Sequence, residues 1–194
     1  MKESILFLKN FVTKPATMGA IVPSSKFLAD EIVRQAGVAQ ANLVLEFGAG
    51  TGSFTEKIIK IKKDDAHFVA VERNAELVGI LKGKFPDENI VWDSIENIEE
   101  VLNRLGIQGK ADCIVCGLPW ASFNEKLQKR LLDTTHDILK DGGVFTTFAY
   151  LQGLLLPAGQ KFKKNINERF SKVEKSTVVW RNLPPAFVYR CTKG

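Results

Sequence analysis

Leu43-Val44-Leu45-Glu46-Phe47-Gly48-Ala49-Gly50-Thr51-Gly52 decides how this chain is read. An apolar run ends in an acidic residue and opens into glycines spaced G-x-G-x-G. The run has the composition of a strand buried on both faces, as in a parallel sheet. The glycines allow a tight turn on which a ligand can lie against bare backbone. Ser53 to Ile61 continues with Phe54, Ile58 and Ile61 at helical spacing. The loop therefore opens a helix whose first amide N–H groups point into a site.

Strand, glycine turn and helix suit either a nicotinamide dinucleotide or S-adenosylmethionine. The dinucleotide fingerprint G-x-G-x-x-G needs a third glycine where this chain has Ser53. Glu46 also argues against a dinucleotide: a carboxylate there repels a pyrophosphate but suits the cationic methionine end of S-adenosylmethionine. His67-Phe68-Val69-Ala70-Val71-Glu72 then reads as the next strand, ending in a carboxylate about 20 residues beyond the last glycine, the usual place of a ribose diol ligand. With both acids at strand ends, a chance glycine turn is the weaker reading.

The remaining pattern alternates helices and strands. Ser24 or Ser25 caps a helix with the stripe Phe27, Leu28, Ile32 and Val33, and Asn74 caps another through Leu81. Asn89 to Trp92 is a short third strand. Asp93-Ser94 ends it, where an acceptor can meet an adenine amino group. A helix from Glu96 to Leu105 leads to a fourth strand, Ala111 to Cys116, and to the turn Gly117-Leu118-Pro119-Trp120. In open α/β sheets this turn faces the ligand beyond the strand ends. Glu125 to Leu139 is helical, and Asp141-Gly142-Gly143 turns the chain into a fifth strand, Val144 to Tyr150. Pro157 starts a helix carrying Phe162, Ile166 and Phe170, and a basic stripe runs from Lys161 to Lys175. Val173 to Trp180 and Ala186 to Thr192 read as a closing hairpin, so the last strand is antiparallel. The expected fold is α/β: a three-layer Rossmann-like methyltransferase sheet, mostly parallel, with helices on both faces and an antiparallel C-terminal hairpin strand.

A length of 194 residues fits one domain, 1–194, with 1–40 as its amino-terminal helical extension. The net charge of +5 favours anionic partners without separating nucleic acid from phospholipid. No apolar run reaches the ~18 residues of a membrane span, and no signal peptide is apparent, so a cytoplasmic protein is expected. Cys113 and Cys116 lie inside an apolar strand and read as core thiols. The two histidines, His67 and His136, stand apart from other ligands, so no metal is expected. Ser4 to Val12 reads as a short helix with Ile5, Phe7, Leu8, Phe11 and Val12 on one face and Lys2, Lys9 and Asn10 opposite. That face suits packing on the domain and a membrane interface equally.

Assembled, the chain resembles the bacterial and archaeal phospholipid N-methyltransferases that act on phosphatidylethanolamine, relatives of the ribosomal RNA adenine dimethylases. The resemblance spans nearly the whole length. It rests on Gly19-Ala20-Ile21-Val22-Pro23-Ser24-Ser25, Leu45 to Thr55, Gly117-Leu118-Pro119, and Asn182-Leu183-Pro184-Pro185-Ala186-Phe187-Val188-Tyr189. It implies cofactor binding at Glu46, Gly48, Gly50, Glu72 and Asp93, extended here to Phe47, Ala49, Thr51, Gly52, Arg73 and Ser94. It also implies peripheral membrane attachment through the amino-terminal helix; a monomer on the inner face of an anionic membrane is expected. Where the family often shows Glu-Pro, this chain has Glu72-Arg73.

Amine-directed nucleic-acid methyltransferases often begin the fourth-strand turn with Asn or Asp. Gly117 has no side chain to hold a base amine, and leaves room for a flexible headgroup amine. Trp120 offers an aromatic wall. Tyr150 and Tyr189 are candidates to contact the amine, or core aromatics. No general base is legible. The expected function is N-methylation of an aminophospholipid; an ornithine or archaeal ether lipid fits as well. Ribosomal RNA adenine N-methylation is the alternative, and a non-catalytic S-adenosylmethionine binder a third.

Overall fold

The computed structural model describes residues 24–194. The sequence-predicted helix Ser4–Val12 and the proline-flanked loop after it, up to Pro23, lie outside the described residues.

Seven strands form one sheet in the order β3-β2-β1-β4-β5-β7-β6. They are β1 (Leu43–Phe47), β2 (His67–Glu72), β3 (Asn89–Trp92), β4 (Ala111–Cys116), β5 (Leu139–Tyr150), β6 (Lys172–Lys175) and β7 (Ala186–Thr192). β1 to β5 pair in parallel, and β7 runs antiparallel to both β5 and β6. The chain order reverses between β1 and β4, so the crevice at their carboxyl ends is the topological switch point where ligands bind in such sheets.

Helices cover both faces: α1 (Lys26–Ala36), α2 (Ser53–Ile61), α3 (Ala75–Lys84), α4 (Ile98–Arg104), α5 (Glu125–Ile138) and α6 (Pro157–Arg169). Alternation along each strand sends Val44, Phe68, Val115 and Val188 into one core layer with Ile32 of α1, Ile58 of α2 and Leu81 of α3. Leu45, Val69, Ile114 and Phe145 enter the other layer with Ile98 of α4, Leu132 of α5 and Phe162 of α6. Helix α1, assigned by sequence to an amino-terminal extension, thus buries Leu28, Ile32 and Val33 in the body. Ser25 caps it, accepting from the Leu28 N–H. Asn74 caps α3.

Three boundaries differ from the sequence pattern. The segment from Glu96 begins as a 3-10 turn, Ile95–Asn97, before α4, because the Ser94 hydroxyl accepts from Glu96 and shapes a tighter first turn. Asp141-Gly142-Gly143 does not precede β5 but interrupts it: the β4 register shifts between Leu139 and Val144, and Gly142 takes φ +74 to make the bulge. β6 stops at Lys175 rather than Trp180, because the Ser176 hydroxyl accepts the Val188 N–H and only Val179 pairs again, with Ala186.

Cys113 and Cys116 fall in opposite core layers, as an odd spacing in a strand requires. Burial pushes both thiols up to about 12. Among the described residues no His, Cys, Asp and Glu group is placed to hold a metal ion, and no helix is long and apolar enough to cross a membrane.

Candidate active site

The carboxyl ends of β1, β2, β3 and β4 converge on the glycine turn. Gly48 and Gly50 take φ +74 and +57, and Gly52 takes +91 as the residue preceding α2. The turn is tied to both neighbouring strands: Gly48 N–H donates to Val71 O and Gly117 N–H to Phe47 O, each at 2.8 Å. Phe47 and Ala49 are buried anchors in opposite core layers, whereas Thr51 is half-buried and its carbonyl accepts from Lys84 at 3.2 Å.

Glu46 is fully buried. Its Oε2 accepts from the Thr55 hydroxyl at 2.7 Å, while Oε1 has no hydrogen-bond partner. Burial pushes this carboxyl up to about 8, with the Thr55 bonds opposing and the Glu72 charge reinforcing the rise. A buried carboxylate oxygen without a donor is costly unless a ligand supplies one. Glu72 clamps the turn from the other side: Oε2 accepts from Gly50 N–H at 3.0 Å and Oε1 from Asn74 N–H at 2.9 Å. Each oxygen keeps a second lone pair for a diol. Arg73 is exposed, and its carbonyl accepts from the indole of Trp92.

Asp93 is held by the Asn97 amide at 2.8 Å and by Arg104 at 2.6 Å, which keep its carboxyl below the usual carboxylate range. Its Oδ1 also accepts the Ser94 N–H. These bonds fix the turn after β3 but engage both oxygens, so an adenine amine would take only a remaining lone pair. A cationic tail beside the orphan Glu46 oxygen, a diol at Glu72 and bare backbone at Gly48–Gly52 fit S-adenosylmethionine.

The turn after β4 lies directly on this cradle. A Cβ at Gly117 would stand 2.5 Å from Gly48 O, and one at Gly48 would stand 2.7 Å from Leu118 Cδ2. The space at Gly117 is therefore filled by the cofactor loop, a correction to its reading as room for a headgroup. Leu118 is half-buried and Pro119 exposed.

Trp120 does not wall the mouth. It is buried, stacks on Phe162 at 4.8 Å and donates from its indole to Thr147 at 3.1 Å. Tyr189 is buried as well, edge-on to Phe187 at 4.9 Å and to Phe162 at 6.1 Å. Both belong to the layer under α5 and α6: the β7 pleat sends Tyr189 there, and Trp120, in the 3-10 turn Trp120–Ser122 after β4, is held there by Phe162 and Thr147. Tyr150 is half-buried on the opposite face, edge-on to Phe148 at 5.5 Å, and burial raises its hydroxyl above the ordinary tyrosine range.

The basic stripe from Lys161 to Lys175, expected from the sequence to lie beside the mouth, is instead spread along the length of the sheet. Helix α6 starts at the crevice end and runs to the far end of the sheet, where β6 begins. Lys161 pairs with Glu125, Arg169 with Asp133 and Lys172 with Glu174.

Three residues shape the site in roles that sequence reasoning did not assign, although Thr55 and Asn182 lie in the segments that carry the resemblance. Thr55 fixes Glu46. Gln128 donates to Trp120 O at 2.8 Å and accepts from Asn165 at 3.2 Å, locking the Gly117–Trp120 turn to α5 and α6. Asn182 accepts from Ser25 N–H at 3.0 Å and donates to Pro184 O at 2.8 Å. A polar Gln within the α5 stripe of Leu131, Leu132 and Ile138 was the available signal for the second.

With this geometry in place, a methyltransferase-domain profile matches residues 44–143, from within β1 to the bulge in β5. The chain belongs to the methyltransferase-domain family. It is an S-adenosylmethionine-dependent N-methyltransferase. It is similar to an ornithine lipid N-methyltransferase of Singulisphaera acidiphila, at 29% identity over 98% of this chain and 96% of that protein. It is also similar to a ribosomal RNA small subunit methyltransferase A of Chlorobaculum parvum, at 28% identity but over 57% of this chain and 38% of that one. Among solved structures, the O-methyltransferase TomG from Streptomyces achromogenes, in complex with SAM, shares the fold with a TM-score of 0.66 at 16% identity, over 99% of this chain and 90% of that one.

Proposed function

We propose that this enzyme N-methylates the amino group of an aminolipid headgroup at the surface of an anionic membrane. The observation that carries this reading is the match to the ornithine lipid enzyme, which extends from end to end, whereas the ribosomal RNA methyltransferase match spans just over half of this chain. Gly117 supports it, since the turn lacks the planar amide that would hold a base amine.

S-adenosylmethionine supplies a methyl group on a sulfonium, and an amine lone pair takes that carbon as the carbon–sulfur bond breaks. The amine must arrive neutral and aligned, so the chain's part is positioning and exclusion of water. Glu46 Oε1 would hold the cationic tail, Glu72 the ribose diol, and Asp93-Ser94 the adenine edge. Leu118 and Pro119, resting on Gly48, would border the transferred methyl. Tyr150, at the end of β5 on the side of α1 and α2, would be the tyrosine that contacts the acceptor. We infer peripheral, monomeric association with the inner membrane face, attached through the amino-terminal segment that precedes α1.

Incubation with labelled S-adenosylmethionine, total membrane lipid and ribosomal RNA tests the reading. Label in lipid is expected, and label in RNA alone would overturn it.

A further inference from the structure

The two connections that leave the sheet beside β5 and β7 carry features that cofactor binding and methyl transfer do not use. Of the seven large apolar side chains that stand exposed among the described residues, four lie there: Leu155 (81% exposed), Leu156 (44%), Trp180 (72%) and Leu183 (64%). Both connections emerge at the crevice end of the sheet. Tyr150, the last residue of β5, is opposite Ala186, the first of β7. Leu151 N–H donates to Pro185 O at 3.1 Å, joining one connection to the other. The start of α1 reaches the same place, through the Ser25 bond to Asn182 and the stacking of Arg181 over Phe27 at 4.9 Å.

We propose that Trp180–Leu183 and Leu155–Leu156 form a rim that seats the enzyme on an anionic lipid bilayer beside the mouth of its site. Rigidity is built into both loops. Asn182 is buried and bonded on both sides, and Gly159 of α6 lies so close to Gly153 O that no Cβ fits between them. The apolar side chains are thus presented by fixed backbone. A Trp with an indole N–H suits the headgroup boundary, with leucines reaching the acyl region.

Charge complementarity selects the occupant. The segments that meet here, residues 24–27, 151–160 and 176–185, contain Lys26 and Arg181 and no acidic residue. Such a surface fits anionic headgroups. It does not fit a second copy of the chain, since a two-fold contact would bring these cations together with no carboxylate between them. The inference rests on the lipid reading of function but can fail separately from it.

The test uses the full chain with Trp92→Phe, leaving Trp180 and the buried Trp120 as emitters, on vesicles of phosphatidylglycerol brominated in the acyl chains. Quenching of Trp180 emission is expected. In the native background, Trp180→Ser with Leu183→Ser should weaken vesicle affinity by roughly tenfold or more, at unchanged cofactor affinity. Leu105→Ser, an exposed leucine at the opposite end of the sheet, should leave it unchanged. Vesicle-bound protein with unquenched Trp180 overturns the rim, and so does a double variant that alters self-association but not vesicle binding. Methylation of aminolipid dispersed in detergent reports on the function alone. Its presence without quenching keeps the lipid reading and discards the rim; quenching without methylation in any lipid form does the reverse.

Discussion

Gly117 packs against Gly48 so closely that a Cβ at 117 would stand 2.5 Å from the Gly48 carbonyl oxygen. The obstacle is backbone, itself pinned by the Gly117 N–H to Phe47 O bond, and cannot rotate away. Gly117→Asn, which restores the first-position amide of nucleic-acid enzymes, should therefore not create an RNA methyltransferase. It should displace the glycine turn, with a stability loss of about 1–3 kcal/mol and weaker cofactor binding. Calorimetric titration and urea denaturation read both. A Gly117→Asn variant with native cofactor affinity would contradict the packing argument.

Glu72 bridges Gly50 and Asn74, so its removal affects both the loop and any bound diol. Glu72→Ala should weaken S-adenosylmethionine binding by roughly 1–3 kcal/mol. A smaller stability loss of about 1 kcal/mol should accompany it, because two backbone donors lose their acceptor. Unchanged affinity in the folded variant would remove Glu72 from the site.

Glu46 gives a pH signature. Its folded value near 8 lies above the ordinary 4.5, so between these limits the folded chain holds a proton that the unfolded chain has released. Stability without cofactor should fall as pH rises through that window, with the penalty absent below 4.5 and complete above 8. Glu46→Gln should abolish this slope and become more stable than the native chain toward pH 8, by a few kcal/mol at most. A cation beside Oε1 favours the ionised form, so cofactor affinity of the native chain should rise over the same window. Parallel stability curves for the two proteins would sink the assignment.

Trp120 separates a core role from a substrate-wall role. Trp120→Ala removes a buried stack with Phe162 and should cost about 3–5 kcal/mol. Trp120→Phe keeps much of the ring packing, loses only the Thr147 bond and should retain KM for the acceptor. A Phe variant of native stability with a greatly raised acceptor KM would return Trp120 to the mouth.

Much of this architecture was legible because local pattern and fold agree. The buried run Leu43–Phe47, the glycines after it and the carboxylates at strand ends are local features, and they locate the cofactor cradle. The strand bounds of β1 to β4 follow from the same logic. What stayed hidden depends on partners distant in sequence. Sequence marks Gly117 as small, but only the fold shows Gly48 O filling the space. Trp120 and Tyr189 are aromatic in either role, and only the turn after β4, the β7 pleat and the helices above them send them inward. The lysines from Lys161 onward read as one stripe, yet α6 spreads them from the crevice end, at Lys161, toward the far end of the sheet, at Arg169. Glu46 was legible as a carboxylate; its missing donor was not.

The most direct test of the central claim uses defined components: purified protein, S-adenosylmethionine, and vesicles of phosphatidylglycerol containing one aminolipid, either ornithine lipid or phosphatidylethanolamine. Mass spectrometry of the recovered lipid is the readout, with ribosomal RNA as a parallel substrate and Glu72→Ala as the impaired control. The account predicts methylation on the headgroup nitrogen of at least one aminolipid, strongly reduced in the Glu72→Ala variant, and no methylated adenine. Methylated RNA adenine with every aminolipid unmodified would contradict it.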